Sequence, residues 1–398
     1  MYTKVQIMNQ QNCPVVLQTG FRVFFPGAAF YTVVSMLFWL IFYVAQGNIF
    51  VAMPLTVWHG HEMIFGFAMA VVAGFLLTAV MNWTGLPTLN GWPLLVLFLF
   101  WASARVLAFM PASFPLWPMA FCDTGFIFLL SAAVIRPIIA ARQWKQSAVF
   151  SKLILIFLSN IAFYWALFNN GLVNERKALR FTVYMIVSLI FTISRRILPF
   201  FIERGVGYFV TLRNSKANDI ASLILIVSFS VIDIFYNMPF VVAGLSVLLV
   251  IVHSLRLAGW YTYGIWQKPL LWILFVGYVF LIFGFLLKIF TVLTHRPDDP
   301  ALHAFTAGGI GAFTLGMMAR VSWGHTGRDI GEALPTLPIM FFMVIASALI
   351  RVFFTLGDEV EYGLWVGTSQ ILWMGAFILY LILYFRILIS PRVDGKWG

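Results

Sequence analysis

The chain has 398 residues, of which 62% are hydrophobic and only 10% charged, and its mean hydropathy is +0.95. That balance excludes a soluble globular protein and leaves loops too short for a separate water-facing domain. The formal net charge of +11 is distributed along the loops as membrane topology requires, and nucleic acid is not indicated as a partner.

Crossing the ~30 Å hydrocarbon core of a bilayer takes about 20 apolar residues per helix. Such stretches run at 24–46, 58–80, 92–110, 116–135, 150–171, 179–201, 218–236, 238–257, 269–291, 301–322, 335–356 and 362–389, twelve spans in all. The reading is an all-α polytopic membrane protein with the lipid bilayer as its surroundings: a segment 1–23, one transmembrane domain 24–389 and a tail 390–398. Glycine and proline mark the joints, as in Trp83-Thr84-Gly85-Leu86-Pro87 and Asn237-Met238-Pro239. The short joint between spans 7 and 8 leaves room for a merged or re-entrant element. Residues 1–23 are too polar for the apolar core of a cleaved signal peptide, so the first span is expected to be retained.

With the amino terminus inside, inner segments and termini hold 18 of the 25 basic residues and outer ones 7. Both termini are therefore expected to be cytoplasmic. Arg176, Lys177 and Arg180 run against the trend. Arg195, Arg196, Arg320 and Arg328 fall on the inner side, where snorkelling to the interface accounts for them. The two cysteines, Cys13 and Cys122, form no CxxC or CxxCH, which excludes covalent c-type haem attachment.

Six histidines remain, and ionisable, metal-binding groups at membrane depth mark functional sites. His59 and His61 open span 2, and His303 opens span 10, all at the outer end. His253 and His325 belong to the inner side, about 33 Å along the helix from His303 in the case of His325. His295 sits in the loop HRPDDP.

A weak internal repeat links the outer group. Sliding span 2 by 242 positions onto span 10 pairs His61 with His303, Gly66 with Gly308, Ala70 with Ala312, Gly74 with Gly316 and Thr84-Gly85 with Thr326-Gly327. Arg105-Val106 of span 3 similarly resembles Arg351-Val352 of span 11. Repeats often meet at a shared site. On this reading His61 and His303 face each other as axial ligands of a haem b, with Arg105 and Arg351 as forks for its propionates. Gly308, Gly309, Gly311 and Gly316 would give either a flat seat for a macrocycle or close helix packing. His59 is a reserve ligand, because residues two apart on a helix point to nearly opposite sides. Copper is a further candidate, with His59 beside Glu62, His253, His325 and Met317-Met318 as donors of suitable softness.

The ordered motifs WHGHEMIFGF, FLLTAVMNWTG, SRRILPFF, HSLRLAGW and GMMARVSWGHTGRD resemble the NnrS family over about residues 20–390. The resemblance implies a haem- and copper-containing protein of the bacterial inner membrane, linked to nitric oxide, nitrosative stress and denitrification. Met81 stands where many relatives carry proline, which touches a helix end and not the chemistry. A looser parallel is to haem–copper oxidases and nitric oxide reductases, which ligate a haem from spans 2 and 10. Spans 6 and 7 here lack histidine, so their three-histidine copper centre is absent.

These readings converge on a haem protein that binds, senses or turns over nitric oxide, with electrons from a quinol or a redox partner. Whether it is an enzyme is left open. Twelve spans with repeats also fit a secondary transporter, although Glu62, Asp123 and Asp233 fall towards span ends. A membrane factor that protects or assembles other metalloenzymes is the third alternative.

Overall fold

The computed structural model describes residues 13–45, 52–169, 172–332, 334–354 and 359–398, so residues 1–12 of the expected amino-terminal segment lie outside the described residues. Among these residues there are twelve main helices and no strands. They are α1 (Gly20–Ala45), α2 (Leu55–Thr84), α3 (Gly91–Leu107), α4 (Trp117–Ala140), α5 (Ser147–Phe168) and α6 (Leu172–Gly205). The second half holds α7 (Lys216–Phe235), α8 (Pro239–Gly259), α9 (Pro269–Thr294), α10 (Asp299–Gly324), α11 (Leu337–Phe353) and α12 (Glu359–Ile389). Ten are long and apolar enough to cross a membrane. The exceptions, α3 and α11, have 17 residues each, the lower limit for a span.

Local chemistry sets the helix ends. Proline occupies the first turn of α4, α8, α9, α10 and α11, where its missing N–H is not needed. Gly85, at φ 69°, closes α2 in the left-handed conformation that glycine adopts without steric cost. Tyr236 is extended and Met238 is non-helical on either side of Asn237, so α7 and α8 are separate helices and not a merged element.

Among the ten span-length helices of the described residues, α2, α9 and α10 are the most buried and α7 the least. α1 packs on α2 and α12, α9 runs along α10, and α6 touches both α2 and α10. The carboxyl end of the bundle is tied down by Arg22, which is fully buried. Its Nη1 donates to the carbonyls of Leu388 (2.7 Å) and Ser390 (2.8 Å), and Nη2 to that of Gly398 (3.2 Å). The carbonyls of Leu388 and Ser390 lie at the end of α12, where no intrahelical N–H is left for them, and Gly398 is the last residue of the tail beyond it.

The glycines of α10 serve helix packing. A Cβ at Gly308 or Gly309 would meet Phe280 or Leu281 of α9, and one at Gly316 would meet Ile273 at 2.7 Å. A Cβ at Gly311 would meet Trp373 of α12 at 2.5 Å. The close approach that small residues permit is thus already taken by neighbouring helices.

Candidate functional site

The repeat has a structural counterpart. α2 widens into a π-helical stretch at Glu62–Ala68, directly after His61, and α10 does the same at Ala304–Gly311, directly after His303. The 242-residue shift carries the first stretch onto the second. Arg105 and Arg351 likewise hold the same place, the last turn of a 17-residue helix. π-Helical segments are rare and concentrate at functional sites, because the extra residue per turn re-aims the side chains beyond it.

α2 and α10 touch through Met69–Thr84 and Ala312–Gly324. Beside their π stretches lies a cavity of about 690 Å³, counting its mouth. Its walls include Met63 and Phe67 from α2, Thr306 and Ile310 from α10, and Trp39 and Trp373 from α1 and α12. The ionisable side chains facing it are His59, His303 and Arg351.

The two imidazoles are held differently. The His59 ring stacks on Trp39, with centroids 4.6 Å apart and planes within 8°. Its Nδ1 is buried and has no protein hydrogen-bond partner. The Nδ1 of His303 lies 2.8 Å from the carbonyl oxygen of Asp299. A carbonyl only accepts, so Nδ1 carries the proton and Nε2 keeps its lone pair. Gln370, also on the wall, has a buried Oε1 without a protein partner. Buried polar atoms without partners cost about 1–3 kcal/mol each, so two in one cavity call for a ligand or water.

His61 is on the opposite side of α2, as expected for residues two apart. Its Nδ1 lies 2.7 Å from Glu62 Oε1, and its Nε2 lies 3.2 Å from Asp123 Oδ2. Both neighbours are acceptors, so a ring protonated on both nitrogens satisfies both contacts. Arg105 Nη1 donates to Glu62 at 2.5 Å and Nη2 pairs with Asp123. Tyr31 donates to Glu62, Asn160 donates to Asp123 at 2.8 Å, and Tyr164 lies 3.3 Å from His61 Nε2. Five helices, α1 to α5, thus build a buried cluster of an arginine, a histidine and two carboxylates. His61 and Arg105, expected to face His303, belong to this cluster, whereas His59 and Arg351 share the cavity with His303.

The inner histidines lie apart. His253 Nδ1 is 2.6 Å from the Tyr278 hydroxyl and Nε2 is 3.2 Å from Ser222 Oγ, with the ring stacked on Phe191. His325, in the turn after α10, packs near Phe21, and its carbonyl accepts from Arg392 at 2.8 Å. Burial, then the Arg392 charge, lowers its pKa from the ordinary histidine value. Met317 and Met318 are buried among core residues. Among the described residues, no group of three or more His, Cys, Asp and Glu side chains is placed to hold a metal ion.

Sequence reasoning set Glu62 beside His59 and left Asp123 at a span end, and it missed that both carboxylates pair with His61 and Arg105. The available signal was a histidine, two carboxylates and an arginine on consecutive spans, each too costly to bury alone.

Fold and site define a polytopic, all-helical membrane protein with a histidine-lined cavity beside the π-helical stretches of α2 and α10. The chain belongs to the NnrS family: the model of the NnrS protein matches residues 15–392, nearly the whole length. Membership connects it with nitric oxide response. No curated protein matches the chain.

Proposed function

We propose that the cavity between α2 and α10 holds a haem b and that the protein acts on nitric oxide there, in the bacterial inner membrane. The observation that carries this reading is the pairing of His59 and His303 in one apolar cavity. One ring has its lone pair set free by the Asp299 carbonyl, and the other has a buried nitrogen without a protein partner. The donor set fits the group: two neutral imidazoles for iron, Arg351 for a propionate, and walls of Met63, Phe67 and Ile310 that exclude water. When bound, the haem would supply an iron that changes oxidation state and, being held by two imidazoles, would take nitric oxide only where one of them gives way. Trp39 orients His59 by stacking, and the Asp299 carbonyl fixes the tautomer of His303, as a second shell does for ligating histidines.

His59 takes the place first expected for His61, because both nitrogens of His61 are engaged by carboxylates. Copper has less support, since it would need donors beyond these two imidazoles. The transporter alternative would use Glu62 and Asp123 for ion coupling, and these are already matched by Arg105 and His61. The test is to purify the protein in detergent, quantify iron, copper and haem, and record difference spectra before and after adding nitric oxide. A b-type spectrum that shifts with nitric oxide is expected. Well-folded protein without haem would overturn the reading.

A further inference from the structure

A second cavity, of about 640 Å³ counting the open space at its mouth, lies between α5, α6, α7 and the end of α8, away from His59 and His303. Ser188, Thr192 and Arg195 form a polar stripe along one face of α6, at the i, i+4 and i+7 spacing of adjacent turns. Phe191 lies within that stripe, and its ring is stacked on His253. Opposite, α7 supplies Asp219 and Ser222, together with Ile220 and Leu223.

Three observations identify the kind of ligand. First, Ser188 is 1% exposed and its Oγ has no protein partner, and the buried Nε of Arg195 has none either. Both are donors, about two helical turns apart. Asp219, by contrast, is already occupied, accepting from Arg195 Nη1 at 2.9 Å and Arg256 Nη2 at 2.8 Å. The ligand must therefore bring acceptor oxygens at two separated points. Second, the body between those points meets an aromatic ring and aliphatic side chains, so it is flat and apolar. Third, Ile220 and Leu223 are 60% and 40% exposed, on the helix that is least buried. The cavity therefore opens sideways towards hydrocarbon, and its ligand arrives from the bilayer.

We propose that this cavity binds a lipid-soluble quinone, with its carbonyl oxygens accepting from Ser188 and Arg195 and its ring against Phe191. Ser222, whose Oγ lies 3.2 Å from His253 Nε2, places a hydroxyl–imidazole pair beside the ring. A phospholipid would bring flexible acyl chains, not a ring, against Phe191. The site stands on its own residues and does not depend on the haem.

Ser188→Ala makes a clean test, because removing a buried hydroxyl that lacks a protein partner should leave stability unchanged or raised. Purified full-length protein is titrated with decylubiquinone, with binding read by tryptophan fluorescence and corrected against empty micelles. Organic extracts of the untreated protein are analysed by mass spectrometry. Saturable binding is expected, weakened about tenfold in Ser188→Ala, the change that ~1.4 kcal/mol produces. Leu223→Trp, which blocks the lipid-facing mouth, should abolish binding without changing thermal stability. Unsaturable binding, equal affinity in wild type and Ser188→Ala, or a phospholipid in place of quinone in the extract would each overturn the proposal. The haem content of the sample does not enter these readouts, so failure here is separable from failure of the haem reading.

Discussion

Replacing Arg105 by methionine tests the buried charge cluster most sharply. The arginine is 3% exposed, and Glu62 and Asp123 are fully buried. Its contact with Glu62, at 2.5 Å, is worth about 6–7 kcal/mol of attraction at an effective dielectric of about 20, before the cost of desolvation. Removing one side of a buried ion pair typically costs about 3–5 kcal/mol, because the other charge is left uncompensated. Here two carboxylates lose their guanidinium at once and keep only His61 and neutral donors such as Tyr31 and Asn160, so the upper end, about 5 kcal/mol, is expected. The assay is reversible unfolding in mixed micelles, followed by far-UV circular dichroism. A companion variant, Arg105→Met with Glu62→Gln and Asp123→Asn, removes the stranded charges and should recover more than half of the loss. The reasoning fails if the single variant lies within about 1 kcal/mol of wild type, or if the neutralised variant is less stable than the single one.

Gly277→Ala should destabilise by about 1–3 kcal/mol, because its Cβ would meet the backbone nitrogen of Phe313 at 2.9 Å and backbone cannot step aside; unchanged denaturant resistance would contradict this. Arg22→Met strands the carbonyls of Leu388, Ser390 and Gly398, and should cost about 2–4 kcal/mol and open residues 390–398 to protease. An equally protected tail would refute that role. His325 has a lowered pKa in the folded protein, so the unfolded chain takes up its proton first as pH falls through about 6.5. Its contribution is present above that pH and lost below it, and melting temperatures between about pH 7 and pH 5 should fall more steeply in wild type than in His325→Gln. Parallel pH profiles would reject the assignment.

The helices were legible because twenty-residue apolar runs have few alternatives in a bilayer, and the prolines and Gly85 marked their ends. The repeat was legible from six matched positions, and the paired π stretches after His61 and His303 give it a structural counterpart. The allocation of His59 and His61 was harder to read. Which of two histidines on opposite sides of α2 faces α10 depends on helix rotation, and a repeat that aligns His61 with His303 does not fix it. The pairing of Glu62 and Asp123 with His61 and Arg105 was hidden for a related reason. Sequence position placed the carboxylates towards span ends, whereas pairing with Arg105 across three helices makes their burial tolerable. The glycines of α10 could be read as a seat or as packing, and only the positions of Phe280, Leu281 and Ile273 distinguish the two.

The measurement that bears most directly on the central claim compares three variants, His59→Ala, His61→Ala and His303→Ala, by haem content and reduced-minus-oxidised spectrum in purified protein. The account predicts that His59→Ala and His303→Ala lose the low-spin b-type spectrum while remaining folded. It predicts that His61→Ala keeps that spectrum, at some cost in stability from the broken carboxylate contacts. Haem retained in His59→Ala and lost in a well-folded His61→Ala would contradict it and restore the first expectation, that His61 and His303 face each other across the iron.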